Sequence, residues 1–545
     1  MSRLSPAPGR APDYDAVVVG AGFGGLHMLR RLRSAGFRVR LFEAGGEVGG
    51  TWYWNRYPGA RCDFESFDYS YGFDEALQQE WNWSERYPSQ PEILQYLNHV
   101  ADRFGLREDI VLSTRVTSAH YDSENHAWTV RTSPVDGAGE AAEVTARLVV
   151  MATGALSSPR LPDVPGIDTF EGLRLQTSTW PADGVDFSGK RVAVVGTGSS
   201  GVQVIPKIAA QADRLHVLQR TAGFVVPAHN RPLTAADRDA VKSDYRAYRD
   251  RALDAFLGIH FPLAGESAAT ADPVERTAAY EARWQQGGAS ILACYRDLLV
   301  DPAANESLAE FLRGKIAEIV HDGDVAKRLT PQGFPVGAKR LVVETDYYPT
   351  FNRPNVELVD LREEPLTQVN STGVRVGDRQ LDLDALVFAT GFDALTGPLL
   401  SIDIQGADNR RLSEAWSDGP TTYLGLAVAG FPNLLTVAGP GSPSVLSNVV
   451  RCTEENVEWI GTLAEHLRAD ALTEVQATAD AAQAWTEHVA ETAEMTVLTS
   501  ADSWYLGANV PGKPRVFMPY AGGVPEYRRR CAEVADRGYE GFILS

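Results

Sequence analysis

The chain has 545 residues, 44% of them hydrophobic, which is enough for two or three domains with sizeable cores. Its formal net charge of -20 disfavours partners that carry phosphate backbones or anionic lipid surfaces. The four cysteines, Cys62, Cys294, Cys452 and Cys531, form no C-x-x-C pair, which argues against a disulfide scaffold, a zinc ribbon or a dithiol reductase and indicates a reducing compartment.

The N-terminal stretch MSRLSPAPGRAP lacks the apolar core of a secretory signal. No run of the chain approaches the roughly 18 apolar residues that a membrane-spanning helix needs. We therefore expect a cytoplasmic protein. No membrane, nucleic-acid or protein partner is evident from the sequence, and no metal-ligand spacing is present.

The first organised segment is DAVVVGAGFGGLHMLRRLRSAGFRVRLFEA, residues 15–44. Its pattern predicts a buried strand over Ala16–Val19, a helix over Leu26–Ser34 and a second strand over Phe37–Phe42. A glycine-rich turn between the first strand and the helix is typical of dinucleotide-binding βαβ units.

The glycines of this turn are Gly20, Gly22 and Gly25, in the spacing G-x-G-x-x-G. The first allows a tight turn, the second lets a pyrophosphate approach the backbone, and the third allows close helix–strand packing. Glu43 ends the second strand, where a carboxylate accepts hydrogen bonds from ribose hydroxyls. This unit is predicted to bind a dinucleotide with an unphosphorylated adenosine ribose, as FAD has.

A second unit of the same kind spans residues 190–227, KRVAVVGTGSSGVQVIPKIAAQADRLHVLQRTAGFVVP. Its second strand ends without an acid, and Arg220 stands there instead. A carboxylate would repel a ribose 2′-phosphate, whereas arginine binds it through a bidentate fork, so this unit favours NADP. A solvated surface arginine is the alternative. The glycines of this turn are Gly196, Gly198 and Gly201.

Two further strands, each followed by A-T-G, lie within 148–159 and 386–397. Such strands carry the chain back and forth between the domains of two-dinucleotide flavoproteins. We therefore predict an α/β fold with two Rossmann-like dinucleotide-binding domains, for FAD and NADP, and a helical insertion. The FAD domain is predicted to comprise 1–155 and 390–545, the NADP domain 156–225 and 335–389, and the helical insertion 226–334.

The insertion shows three helix signals. A capping box at Thr234 and Asp237 predicts a charged helix that runs to about Leu257. Asp272-Pro273 opens a second helix, which Gly287-Gly288 closes, and a third is predicted over Ser307–Val320. The segment has no catalytic motif, so it either walls off one side of the site or serves as scaffold.

Two motifs point to a family. The stretch GGTWYWNRYPGARCDFESFDYSYGF, residues 49–73, matches [AG]-G-x-W-x-x-x-x-[FY]-P-[GM]-x-x-x-D. The stretch FEGLRLQTSTWP, residues 170–181, matches F-x-G-x-x-x-H-x-x-x-W-P except that Gln176 replaces the histidine. From Asp15 onward the chain resembles the type I Baeyer–Villiger monooxygenases, and most of all the phenylacetone and steroid monooxygenase subgroup. The segments that carry this closer resemblance are GAKRLVVETDYYPTFNRPNVELVDL, ATGFDALTG, AGPGSPSVLSN and SWYLGANVPGKPRVFMPY.

The resemblance implies an enzyme that uses FAD, NADPH and O2. In that family NADPH reduces the flavin, O2 adds to give a C4a-peroxyflavin, and one oxygen atom enters beside the carbonyl of a ketone. An ester or lactone leaves. The resemblance further implies a hydrophobic ketone as substrate.

The resemblance also implies roles for individual residues. Arg340 is the fixed cation that stabilises the anionic oxygen species, and Asp63 pairs with it and tunes its placement. Lys339 holds the 2′-phosphate together with Arg220. Trp504 lies on a mobile segment that closes over the nicotinamide and substrate, although a plain core tryptophan is the alternative. The remaining expected site residues are Trp52 and Tyr57, which pack around the flavin, and Ser444, Val445 and Leu446, which line the substrate pocket.

Three alternatives to a working oxygenase of this kind stay open, and Gln176 bears on the second of them. A related flavin monooxygenase would oxidise sulfur or nitrogen, although Trp180-Pro181 argues against it. An uncoupled NADPH oxidase would share the cofactors and transfer no oxygen. A nucleotide-binding sensor would not turn over, and the retention of Asp63 and Arg340 argues against that. Because Asp63, Arg340, Lys339 and Arg220 are all present, we expect a working monooxygenase. Glutamine forms hydrogen bonds but does not titrate near neutral pH, so we expect the enzyme to be slower or to lose more peroxide.

Overall fold

The computed structural model describes residues 11–135, 137, 141–261 and 264–545. The first ten residues, which form most of the stretch where we predict no secretory signal, lie outside this range. Over the described ranges, no helix combines the length and apolar character needed to cross a membrane.

Strands and α-helices are numbered here in chain order. The strands are β1 (Tyr14–Val19), β2 (Val39–Phe42), β3 (Ile110–Val111), β4 (Thr114–Asp122), β5 (Ala127–Pro134), β6 (Ala142–Met151), β7 (Leu173–Gln176), β8 (Arg191–Val195), β9 (Arg214–Gln219), β10 (Val225–Pro227), β11 (Val342–Glu344), β12 (Val356–Asp360), β13 (Leu366–Asn370), β14 (Gly373–Val376), β15 (Arg379–Asp382), β16 (Ala385–Phe388), β17 (Asp403–Gln405), β18 (Leu434–Thr436), β19 (Val475–Ala477) and β20 (Phe542–Leu544). The helices are α1 (Phe23–Ser34), α2 (Thr51–Trp54), α3 (Glu75–Glu80), α4 (Gln90–Arg103), α5 (Ser199–Ala209), α6 (Ala235–Lys242), α7 (Tyr245–Leu253), α8 (Pro273–Gln286), α9 (Pro302–Ile319), α10 (Gly323–Leu329), α11 (Tyr347–Thr350), α12 (Gly397–Leu400), α13 (Leu412–Ala415), α14 (Val449–Ala469), α15 (Ala479–Glu494) and α16 (Val524–Asp536).

The larger sheet is built from both ends of the chain. Its parallel strands run in the order β3-β2-β1-β6-β18, and β6 also pairs antiparallel with β5, which pairs with β4. The central strands are continuous apolar runs, as parallel strands covered on both faces require; Val17, Val18, Val149 and Val150 have no exposed surface. The glycine turn between β1 and α1 lies at the carboxyl edge of this sheet.

The smaller sheet is wholly parallel, in the order β12-β9-β8-β16-β7. The second glycine turn joins β8 to α5, which crosses over to β9. Two Rossmann-like sheets were predicted, and both are present. The edge strand β7 ends at Gln176, the position at which the sequence departs from the family motif.

Helices α6 to α10 lie within the predicted insertion. The capping box at Thr234 and Asp237 is confirmed, as are both ends of the helix between Asp272 and Gly287. The prediction of one helix from Thr234 to Leu257 was wrong. Two helices form, α6 and α7, because the Asp244 carboxylate caps a new helix by accepting from the amide of Ala247.

The third predicted helix of the insertion starts earlier than its sequence pattern indicates. It is α9, which begins at Pro302, because Asp301 caps it by accepting from the amides of Ala303 and Ala304. Proline is favoured at the first helical position, where no amide donor is needed.

Candidate active site

The first glycine turn is shaped by backbone contacts that leave no room for side chains. Gly20 has φ +101°, and a Cβ there would lie 2.5 Å from the carbonyl oxygen of Ala152. A Cβ on Gly25 would lie 1.7 Å from the Gly20 oxygen, so α1 packs directly on the end of β1. Gly22 differs, since a Cβ there would meet only Gly50, at 3.5 Å. The turn can therefore form only with glycine at positions 20 and 25. Gly22, in contrast, leaves the space that a pyrophosphate would fill.

Glu43 ends β2 beside this turn and is 5% exposed. Its carboxylate accepts from the amide of Ala21 at 2.6 Å and from that of Gly45 at 2.6 Å. Burial raises the pKa of Glu43, and these two amides oppose that effect. Each carboxylate oxygen keeps a further acceptor position, which suits the hydroxyls of a ribose.

The second glycine turn repeats the arrangement. Gly196 has φ +107° and its Cβ position lies 2.5 Å from the Ala389 oxygen, while that of Gly201 lies 2.2 Å from the Gly196 oxygen. No described heavy atom lies within 4 Å of the Cβ position of Gly198. The open space in front of Gly198, at the amino end of α5, has the form of a phosphate cradle.

Arg220 and Lys339 converge beside this second turn. Arg220 is exposed and forms no ion pair with any described residue. Lys339 is half-buried, and its ammonium donates to the carbonyl oxygen of Asp502. Burial and the nearby charge of Arg220 lower the pKa of Lys339. Arg220 is near enough for its charge to act on Lys339, and two neighbouring cations of this kind suit an anion.

Arg340, which directly follows Lys339 in the chain, forms a charged pair with Asp63. The Arg340 Nε and Nη2 atoms both donate to Asp63 Oδ2, at 2.9 and 2.7 Å, and Nη1 donates to the carbonyl oxygen of Val445 at 3.0 Å. The side chains are 26% and 20% exposed, respectively. Three donors are therefore fixed, and the guanidinium keeps two N–H groups for another acceptor.

The electrostatic surroundings keep Arg340 charged. Burial would lower the pKa of Arg340, but the Asp63 carboxylate outweighs burial and raises it. Cys62, next to Asp63, does not compete for the pair as an anion, because burial raises the pKa of its thiol well above the usual value. Arg340 is thus a permanent cation that cannot serve as a proton donor.

A largely apolar cavity opens in front of the pair. Four regions of the chain contribute: the segment around Asp63, the helical insertion, the segment 337–341 and the C-terminal region. Val445 and Leu446 line it, whereas Ser444 is fully buried behind them with φ +36°. The other lining residues are Phe64, Phe256, Leu257, Ala289, Leu292, Leu299, Gly337, Leu341, Ser447, Leu498, Tyr505, Tyr520, Ala521 and Gly523.

Trp504 lies next to this cavity without lining it. It is half-buried in a 3-10 turn, packs on Tyr505 with ring centroids 4.5 Å apart, and belongs to an apolar cluster with Val445 and Leu446. Its neighbour Tyr505 lines the cavity and is 3% exposed; burial raises the pKa of its hydroxyl, which stays protonated.

Trp52 and Tyr57 occupy different surroundings. Trp52 is buried in the core of the larger sheet's domain, where its indole donates to the Tyr69 hydroxyl at 3.2 Å. Tyr57 packs into the core of the other domain, and its hydroxyl donates to Gln203 at 2.8 Å. The two residues are thus divided between the domains, although they are close neighbours in the chain.

Gln176 keeps a hydrogen-bonding role. Its side-chain amide donates to the carbonyl oxygen of Arg160 at 3.2 Å, and Thr390 donates to the same oxygen at 2.6 Å. The Arg160 guanidinium in turn donates to the carbonyl oxygen of Asn509 at 3.0 Å. Asn509 belongs to the segment that follows Trp504, so a neutral amide at 176 is linked to that segment through one residue.

Sequence reasoning missed the aromatic residues of the cavity. Phe256 and Leu257 lie just past the end of α7, in the insertion that carries no motif, and Tyr520 lies near the C-terminus. Three of them had a usable signal: Phe64 and Tyr505 each directly follow a residue that the family resemblance singles out, and Tyr520 ends a segment that carries the resemblance. Convergence of the others depends on tertiary packing.

Comparison with known proteins identifies relatives of the whole chain. A family model described as pyridine nucleotide-disulphide oxidoreductase matches residues 17–234. A solved structure of an oxidised steroid monooxygenase bound to NADP has a TM-score of 0.93 and 49% identity, covering 97% of this chain and 99% of that one.

Two curated relatives match over nearly their full lengths. A phenazine N-monooxygenase of Lysobacter antibioticus is 42% identical, covering 97% of each chain. A Baeyer–Villiger monooxygenase of Pseudooceanicola batsensis is 39% identical, covering 97% of this chain and 96% of the relative. With two nucleotide turns, a paired arginine and these full-length matches, the chain belongs to the Baeyer–Villiger monooxygenase family of flavoproteins, members of which have been solved with FAD and NADP bound.

Proposed function

We propose that the chain inserts one oxygen atom of O2 beside the carbonyl of a hydrophobic ketone, giving an ester or lactone, with FAD and NADPH as cofactors. The observation that carries the proposal is the pair of Arg340 and Asp63 at the wall of an apolar cavity. The family relationship supports it. The protein would be an oxidoreductase with NADPH as electron donor.

FAD, when bound, would supply the chemistry that activates O2, once NADPH has reduced the flavin. Arg340 would stabilise negative charge on oxygen with the N–H groups that Asp63 and Val445 leave free. Because its pKa is raised, it would do so without giving up a proton. Asp63 would fix the guanidinium plane, so that little reorganisation is needed during the reaction.

The ketone would bind in the cavity between the helical insertion and the C-terminal region. Phe256, Leu257, Leu446 and Tyr505 give it apolar walls, which exclude water from the charged oxygen and favour apolar ketones. Val445 would connect the cavity wall to the cation, since its carbonyl oxygen accepts a hydrogen bond from Arg340. Ser444 would act behind the wall by shaping the loop.

NADPH would lie along the second glycine turn. Gly198 leaves room for the phosphates at the amino end of α5, and Arg220 with Lys339 would bind the 2′-phosphate. Trp504, beside the cavity, would cover the nicotinamide and substrate. Gly196 and Gly201 would hold the turn in shape.

FAD would lie along the first glycine turn. Gly22 leaves room for its pyrophosphate, and Glu43 would accept from its ribose hydroxyls. Gly20 and Gly25 would maintain the turn. Trp52 would pack near the flavin, whereas the contacts of Tyr57 favour a role between the domains.

We further propose the division into an FAD domain (1–155 and 390–545), an NADP domain (156–225 and 335–389) and a helical insertion (226–334). The membership of the two sheets supports these boundaries. We propose a cytoplasmic location, because all four cysteines are free, as a reducing compartment favours.

The test uses the full chain loaded with FAD and supplied with NADPH and heavy-isotope O2. Cyclic, aryl-alkyl and steroid ketones are offered in turn, with an aryl sulfide and a tertiary amine as competing substrates. One heavy atom in an ester or lactone supports the proposal. Hydrogen peroxide in amounts equal to the NADPH consumed, or oxygen transfer to sulfur or nitrogen alone, would overturn it.

A further inference from the structure

Gln203, to which the proposed reaction assigns no role, joins the two proposed nucleotide domains near the proposed catalytic pair. It lies on α5, just beyond the phosphate cradle at Gly198. Its side-chain oxygen accepts from the Tyr57 hydroxyl at 2.8 Å and from the amide of Arg61 at 3.3 Å. Its side-chain nitrogen donates to the carbonyl oxygen of Arg61 at 3.0 Å.

The contact is close as well as specific. A Cβ on Gly59 would lie 2.6 Å from the carbonyl oxygen of Gln203, so the segment Tyr57–Asp63 touches the backbone of α5 directly. The side chain of Arg61 is held from the other side by the Glu85 carboxylate and the Tyr87 carbonyl oxygen. The segment is therefore fixed to α5 and has little freedom to move independently.

This segment lies between two functional positions. At one end the Tyr57 hydroxyl neighbours Ser200, in the first turn of α5, where the NADP phosphates would bind. At the other end Asp63, which follows Arg61 closely in the chain, holds Arg340 through two hydrogen bonds. A displacement of α5 would thus be passed to the carboxylate that orients the guanidinium.

We propose that Gln203 is a positioning residue that ties the place of Asp63 and Arg340 to the occupancy of the NADP site. The inference rests on the proposed oxygenation, in which a misplaced Arg340 would let activated oxygen escape as hydrogen peroxide. Binding of NADP stiffens the start of α5, and Gln203 carries that constraint to Tyr57–Asp63. Loss of Gln203 then lowers oxygen transfer more than it lowers flavin reduction.

The test compares Gln203→Ala with the wild-type holoenzyme. The expected result is a roughly tenfold rise in hydrogen peroxide formed per ester, because the hydrogen bonds that fix the segment are lost. The rate of anaerobic flavin reduction by NADPH stays nearly unchanged. Gln203→Glu keeps both acceptor contacts but loses the hydrogen bond donated to the Arg61 carbonyl oxygen, so its peroxide yield should lie between those of the wild type and Gln203→Ala. Gln211→Ala is the matched control, because Gln211 follows the same helix and its side chain accepts from the amide of Phe187, away from the segment.

A readout independent of turnover is the hydrogen exchange of residues 57–63. Adding NADP+ slows it in the wild type and leaves it unchanged in Gln203→Ala. Should that variant fail to fold, Tyr57→Phe removes one of the contacts and is read in the same way. Wild-type coupling and wild-type exchange in these variants would overturn the inference. A wild type that makes no ester would overturn the proposed function instead, and the exchange data would still decide the role of Gln203.

Discussion

Arg340 and Asp63, 277 residues apart in the chain, meet through two hydrogen bonds from the guanidinium to a single carboxylate oxygen. Arg340 precedes β11 in the proposed NADP domain, and Asp63 follows α2 in the proposed FAD domain. The pair is thus both the charged centre of the proposed reaction and a contact between domains. Substitutions of its two members should therefore affect oxygen transfer to different degrees.

Arg340→Lys should lower ester formation about 100-fold or more, as expected when a fixed donor to developing charge is lost. A lysine ammonium is a point charge that cannot keep both contacts with Asp63 and the one with Val445. Flavin reduction by NADPH should continue, with hydrogen peroxide as the product. Product yield and peroxide yield per NADPH are measured together; equal ester yields in variant and wild type would refute the role.

Asp63→Asn should lower ester formation less, by about tenfold, because the amide oxygen can still accept both hydrogen bonds from the guanidinium but no longer balances its charge. Arg340 then lacks the carboxylate that raises its pKa. The defect should be in kcat with ketone, not in NADPH binding. Asp74→Asn, which alters a carboxylate that caps α3 away from the cavity, is the control.

Arg220→Ala and Lys339→Ala should each raise the KM for NADPH about tenfold to 100-fold while leaving that for NADH nearly unchanged. Only NADPH carries the 2′-phosphate that these cations would bind. Arg191→Ala serves as the control, because Arg191 lies at the opposite end of the same sheet and pairs with Asp384. An equal rise in the KM for NADPH and for NADH would mean that the two cations stabilise the fold and do not bind the 2′-phosphate.

The buried carboxyl of Glu344 should make the free energy of unfolding depend on pH. Burial raises the pKa of this carboxyl from 4.5 to about 7, while the amide of Tyr347 donates to it. The folded state therefore binds the extra proton, and this stabilisation is present below 4.5 and lost as the pH rises through about 7. The free energy of unfolding should fall by up to about 1.4 kcal/mol per pH unit across this window. Denaturant titrations of wild type and Glu344→Gln, which cannot ionise, should diverge as the pH rises.

Gln176→Ala should loosen the segment after Trp504, because the Arg160 carbonyl loses one of its two donors. We expect faster proteolysis within residues 504–516 and more hydrogen peroxide per ester. Gln176→His should keep the wild-type rate of proteolysis and the wild-type peroxide yield, because an imidazole N–H can donate to the same carbonyl oxygen. If Gln176→Ala behaves as wild type, the family position has no role in this chain.

Local patterns predicted the local elements of the site. Both glycine turns, the acid at Glu43 and the basic end at Arg220 follow from short-range rules of backbone geometry and charge, so each could be predicted from a single stretch of sequence. The break at Ser243-Asp244 could not, because a mid-helix aspartate and a capping aspartate look the same until tertiary contacts choose between them.

The cavity was harder to predict. Its walls combine Phe256 from the insertion, Leu341 from the NADP-binding half and Tyr520 from the C-terminal region, and no periodicity links such distant residues. Gln203 was missed for a similar reason, since a polar residue on a half-buried helix face gives no sign of which partner it meets. The role of Arg340 was predicted from the family resemblance, because the residues next to it in the sequence do not indicate that role.

The pairing of β18 with β6 has a consequence for how the chain is made on the ribosome. The smaller sheet has all its strands once residue 388 has been synthesised. In the larger sheet β6 can pair with β1 and β5 much earlier, but it receives its last partner, β18, only when Leu434–Thr436 has been synthesised. The domain that begins first is therefore completed last. The nascent NADP-binding half can fold while the N-terminal half waits with an open edge beside β6, which is the interval in which a chaperone would be needed most.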